Sequence, residues 1–99
     1  MPEKDWIKFL DSDFKIFARK NTFLGIWLSF SVVLIYQDEV CITRYDNAHE
    51  APHRDVLGQR SGLIRKDFCA NLSLKKAFSY ALDDLSNNFK QYADFYFSN

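Results

Sequence analysis

The chain has 99 residues, 47% of them apolar and 17% aromatic, which supplies one core and leaves no room for a second, so residues 1–99 are expected to form a single domain. Ten Phe, five Tyr and two Trp against three Gly and two Pro exclude a disordered or low-complexity chain. Thirteen Lys and Arg balance thirteen Asp and Glu, and a net charge of zero excludes a surface wholly adapted to nucleic acid while allowing a local basic patch.

The first five residues, Met1-Pro2-Glu3-Lys4-Asp5, lack the cation-then-apolar layout of a secretory signal. Trp6, Ile7 and Leu10 stand at helical spacing in a segment too short to fold alone, so a single helical turn is the most that residues 4–10 predict. Asp11-Ser12-Asp13 predicts a turn. Beyond it Phe14, Ile16 and Ala18 alternate with Lys15, Phe17 and Arg19, the period-2 pattern of a half-buried strand.

Residues Ile26 to Tyr36 are aromatic and β-branched on both faces and predict a central strand. Gly25 to Tyr36 is also the longest apolar run, interrupted by Ser29 and Ser31 and well short of the roughly 20 residues that span a bilayer. No membrane association is expected. Cys41 and Cys69 form neither a CxxC pair nor a disulfide framework and read as buried free thiols, so a reducing, cytoplasmic location is expected.

Gln37-Asp38 predicts a two-residue turn into a second strand, Val40 to Asp46. With that loop Ile35 faces Val40, Val33 faces Ile42, Ser31 faces Arg44 and Ser29 faces Asp46. Leu34, Val32 and Phe30 then share the opposite face with Cys41, Thr43 and Tyr45, which is the face expected to pack on a helix. Core and polar residues fall on different sides of the sheet.

Residues 47–62 hold both histidines, one Pro and two Gly, and predict a loop with a short strand at 52–57. Residues 60–76 carry Arg60, Arg65, Lys66, Lys75 and Lys76 against Asp67, which reads either as a track for a nucleic-acid backbone or as solvated charge. From Ser73, a natural N-cap, Leu74, Phe78, Ala81, Leu82, Leu85, Phe89, Tyr92 and Tyr96 make a continuous i, i+3, i+4 stripe. Tyr92, Phe95, Tyr96 and Phe97 exceed the needs of one helix face, so they serve either the core or a contact with a second copy. The predicted fold is α+β, an antiparallel sheet of three to four strands covered by a long C-terminal amphipathic helix.

Chemistry concentrates in Arg44-Tyr45-Asp46-Asn47-Ala48-His49-Glu50-Ala51-Pro52-His53-Arg54-Asp55. Two imidazoles beside carboxylates and guanidinium groups are the parts of an acid–base site for a phosphodiester. His49 and His53 would transfer protons, with Asp46 or Asp55 orienting a histidine. Arg44, Asn47 and Arg54 would bind substrate, the arginines gripping phosphate. The bland alternative is a polar surface loop that satisfies its own backbone. His49 and His53 also have H-x-x-x-H spacing, with Asp46 and Asp55 as carboxylate ligands, but Pro52 would break the helix that aligns them. No metal and no cofactor are expected.

These residues, with Ala81-Leu82-Asp83-Asp84-Leu85, resemble a family of small bacterial and archaeal proteins bearing an R-Y-D-x-A-H-G-x-P-H-R-D motif. That likeness covers most of the chain and implies no activity. Tyr45-Asp46-Asn47-Ala48 followed by histidines also resembles the loop of TumE-type toxins of toxin-antitoxin modules. The second likeness implies an RNA-directed toxin with an antitoxin partner, its matching positions being Arg44, Asp46, Asn47, His49 and His53. Glu50 departs from the expected glycine and sets a carboxylate in the implied phosphate site. Two functions stay open: a ribonuclease-like protein acting on RNA, or a non-catalytic module that binds a protein partner or forms a homodimer.

Overall fold

A computed structural model describes residues 3–48, 50–69 and 71–99, with only the backbone described for Glu3. The elements are β1 (Glu3–Phe9), β2 (Phe14–Phe23), β3 (Ile26–Tyr36), β4 (Val40–Asp46), β5 (His53–Gly58), β6 (Gly62–Phe68) and α1 (Leu74–Ser98). Each strand pairs antiparallel with the next, so the sheet is a six-stranded meander in chain order. The predicted α+β class holds, with six strands where the sequence predicts three to four.

Residues 3–9 form a strand and not a helical turn, because β2 offers them a full ladder from Glu3↔Asn21 to Phe9↔Lys15. Seven residues cannot nucleate a helix alone, whereas pairing satisfies their backbone at once. Trp6 meets Phe78 of α1 edge-on, at 5.2 Å between ring centroids. The Asp11 carboxylate then accepts hydrogen bonds from the backbone N–H groups of Asp13 (2.8 Å) and Phe14 (2.9 Å) and turns the chain into β2.

Ser73 caps α1 by accepting a hydrogen bond from the Lys76 backbone N–H at 3.2 Å. The helix lies across β2 to β5. Ile16, Val32, Leu34, Ile42 and Leu85 are fully buried between them, and Phe30, Tyr45, Phe78 and Ala81 complete the core. At its far end the turn after β5 caps the helix in reverse. Gln59 donates its N–H to the Tyr96 carbonyl, while Ser61 donates its N–H (3.0 Å) and hydroxyl (2.8 Å) to the Asn99 carbonyl.

Gly58 makes this docking possible, since a Cβ there would lie 2.9 Å from the Asn99 backbone. Gly58→Ala is therefore expected to destabilise the fold by about 1–3 kcal/mol through overpacking. A urea unfolding curve measures it, and an unchanged midpoint would show that the helix end is loosely held.

Candidate functional site

The register of β4 against β5 assembles the polar segment. Asp46 pairs with His53, and Arg44 with Asp55, so these four side chains share one face of the sheet. That face is opposite α1. The Arg44 Nε donates to Asp55 Oδ2 at 2.7 Å, and His53 Nε2 lies 3.2 Å from Asp46 Oδ1 and 3.3 Å from Asp55 Oδ1. Glu50 stands 4.0 Å from the same imidazole nitrogen and pairs outward with Lys66 of β6. Phe68 covers the imidazole from β6, 5.3 Å between ring centroids.

His53 is 2% exposed and Asp55 3%. The His53 Nδ1 is 2.9 Å from the Ala51 carbonyl, which can only accept, so Nδ1 carries a hydrogen. Its Nε2 faces two carboxylate oxygens of the protein, Asp46 Oδ1 and Asp55 Oδ1, and is shut off from solvent. Both ring nitrogens are therefore committed to the protein. Asp55 Oδ1 is buried and accepts no hydrogen bond among the described residues, with the imidazole Nε2 3.3 Å away. The hydrogen bond from Arg44 Nε to Asp55 strengthens the hold of that guanidinium on its proton, while Arg44 itself stays half-exposed. Lys66 beside Glu50 lowers the carboxyl of Glu50 below its ordinary range.

The remaining candidates separate. Asn47 extends the β3–β4 ladder, its Oδ1 accepting from the Phe30 N–H at 3.0 Å and its Nδ2 donating to the Leu28 carbonyl at 3.4 Å. Its work is structural. Arg54 projects to the helix side, where its guanidinium lies 4.3 Å from the centroid of Tyr92 and donates to Thr43 Oγ1 at 3.1 Å. The sequence reading grouped Arg54 with His53 and Asp55, but alternation along β5 puts it on the other face. His49 lies outside the described residues. The metal alternative gains nothing, since no group of three or more His, Cys, Asp or Glu able to hold a metal occurs among the described residues.

On the helix side lies a second polar constellation, unforeseen from the sequence. Asp84 Oδ2 accepts hydrogen bonds from the hydroxyls of Tyr45 (2.7 Å) and Tyr92 (2.6 Å), and Asp84 Oδ1 accepts from Asn88 Nδ2 at 2.8 Å. Burial, then the bond to Asp84, pushes both phenols well above their ordinary value. The available signal was the row Tyr80, Asp84, Asn88, Tyr92 at four-residue spacing beside the apolar stripe. Cys41 and Cys69 are free and half-buried, and burial raises both thiols, which keeps them from thiolate chemistry.

Fold and site together define a small α+β protein whose strand pair β4–β5 carries a buried charge cluster on one face and a tyrosine–carboxylate cluster on the other. A family model described as a domain of unknown function, DUF7718, matches residues 1–99, and the chain belongs to that family. No curated protein and no solved structure matches it. No helix among the described residues is long and apolar enough to cross a membrane.

Proposed function

We propose that this protein is a non-catalytic interaction module that binds a protein partner presenting an apolar ridge flanked by carboxylates. The observation that carries this reading is a trough of about 500 Å³ between β1, the β2–β3 ribbon and α1. Trp6, Trp27 and Phe78 line it, Lys4, Lys20 and Lys75 surround it, and no acidic side chain among the described residues lines it. The Lys20 ammonium stands 5.0 Å from the Trp27 ring centroid. An apolar floor inside a cationic border complements an acidic, amphipathic partner.

The ribbon end beside the trough enlarges this surface. Phe23 is 60% exposed, Leu24 86% and Ile26 65%, where hairpin tips ordinarily carry Asn or Gly. Leu24 sits at φ 51°, a left-handed conformation that disfavours leucine. Strain kept at an exposed apolar side chain suits a binding role. Phosphodiester chemistry centred on His53 has less support, because an imidazole that is 2% exposed, with both nitrogens engaged, has none left for a substrate.

The test is a synthetic helical peptide that alternates leucine and glutamate faces, titrated while tryptophan fluorescence is followed. Binding is expected, and Lys20→Glu with Lys75→Glu should weaken it at least tenfold while circular dichroism stays unchanged. Leu24→Asn should weaken it without loss of fold. Equal binding of a lysine-substituted peptide, or affinity that survives the charge reversal, contradicts the proposal. RNA cleavage by the wild type that His53→Gln abolishes would put phosphodiester chemistry in its place.

A further inference from the structure

Between the β4–β5–β6 end of the sheet and α1 is a separate cleft of about 490 Å³, on the face of β5 that carries Arg54. Pockets of roughly 300–1,000 Å³ that pair aromatic walls with a few convergent polar groups are those that take small molecules. Tyr45, Tyr80, Tyr92 and Phe68 line this one, with Arg54 and Asp67 as its charged lining residues.

We infer that this cleft binds a planar ring carrying an anionic group, with a nucleoside monophosphate as the ligand class. Tyr45 stands edge-to-face with Tyr80, at 6.1 Å between centroids and 89° between planes. Tyr80 remains 53% exposed and so offers ring surface on which a base can stack. Arg54 supplies the anion site. Its side chain is 13% exposed and is held by Tyr92 and Thr43, so its rotamer is set in advance.

The Arg54 Nη2 has only a long contact, 3.4 Å, with Asp67 Oδ2. Asp67 is held more closely by Arg65, whose Nε donates to Oδ1 at 2.8 Å. A phosphate can therefore replace Asp67 at Arg54 while Asp67 keeps its second cation. Asp84 does not repel the ligand directly, because the hydroxyls of Tyr45 and Tyr92 and the Asn88 amide stand against its oxygens. The site is independent of the lysine-bordered trough, which shares no lining residue with it.

The experiment titrates AMP, adenosine, inorganic phosphate and a 5′-phosphorylated tetraribonucleotide into the whole chain labelled for NMR. AMP should bind at least tenfold more tightly than adenosine or phosphate, with shifts centred on Tyr80, Tyr45 and Arg54. Tyr80→Ala, a change at an exposed ring, should weaken AMP at least fivefold and leave the unfolding midpoint in place. Arg54→Gln should reduce AMP to the affinity of adenosine. Affinity of the tetranucleotide equal to that of AMP assigns the site to a nucleic-acid end, and weaker affinity assigns it to a free nucleotide. Phosphate binding as well as AMP, shifts centred elsewhere, or AMP affinity unaltered in Tyr80→Ala overturns the inference.

Discussion

His53→Ala is expected to destabilise the protein by about 3–5 kcal/mol, the cost of breaking a buried charged cluster by removing one member. The imidazole now separates Asp46 from Asp55, and Asp55 is only 3% exposed. Removing it leaves those two carboxylates facing a gap, with Arg44 bonded to one oxygen of Asp55 and its Nε 3.9 Å from Asp46. Water can solvate the exposed side of Asp46 but not the enclosed Oδ1 of Asp55. Asp55→Asn in the His53→Ala background should restore part of the loss, because the carboxamide needs no counter-charge. Urea unfolding of the two single variants and the double variant measures this. A cost below 1 kcal/mol for His53→Ala, roughly that of an exposed polar substitution, would show that the cluster is not what joins β4 to β5.

Asp84→Ala is expected to cost on the order of 3 kcal/mol, since it removes the acceptor of two phenols at once, at about 1–3 kcal/mol for each orphaned donor. Tyr45 is 3% exposed and cannot turn its hydroxyl to solvent. Asp84→Asn keeps a carbonyl acceptor and should lose less. The same cluster sets an alkaline limit. Both phenols are raised in the folded state, by burial first and by Asp84 second, above the unfolded value of about 10. Their contribution is therefore complete below pH ~10 and lost as pH climbs above it. In a phenolate absorbance titration of the five tyrosines, Tyr45 and Tyr92 should ionise only as the protein unfolds. Five phenols titrating together while the fold persists would contradict this.

The faces of the sheet were legible in the sequence although the register was not. The expected two-residue loop places Ser31 opposite Arg44, whereas the chain uses three residues, 37–39, and pairs Tyr36 with Val40. Positive φ at Gln37 and Asp38 accommodates the longer turn. A bulge at Leu34/Ile35 adds one more residue, Ile42, to β4. Together these displace the pairing by two residues, so Val33 lies opposite Arg44 and Ser31 opposite Asp46. Because side chains alternate with period two, the shift leaves every face beyond the bulge unchanged. Cys41, on the tip side of the bulge, pairs with Ile35 instead of Leu34 and so leaves the face predicted for it.

Strand β6 was invisible for a different reason. Gly62-Leu63-Ile64-Arg65-Lys66-Asp67-Phe68 is an edge strand exposed along most of its length, so no buried face imposes alternation on its sequence. Its three charges read as a basic tract. In the structure Lys66 and Asp67 pair across the sheet with Glu50 and Arg54. The extent of the helix, by contrast, was legible because Leu74, Leu82, Phe89, Tyr92 and Tyr96 of its stripe all pack against the core, although the kink at Asn88 (φ −124°, ψ 16°) was not. What the stripe does not announce is Asp84, a carboxylate at its margin whose partners come from β4 and from a later turn of the helix.

The most direct test is a proton–nitrogen spectrum of the folded protein labelled in histidine, recorded to locate the hydrogens of the His53 ring. Engagement of both nitrogens within the fold predicts a hydrogen on Nδ1, directed at the Ala51 carbonyl and exchanging with solvent only as fast as the protein opens. A ring without a hydrogen on Nδ1, or one that exchanges freely in the folded state, would contradict the account and return His53 to the pool of groups available for acid–base chemistry.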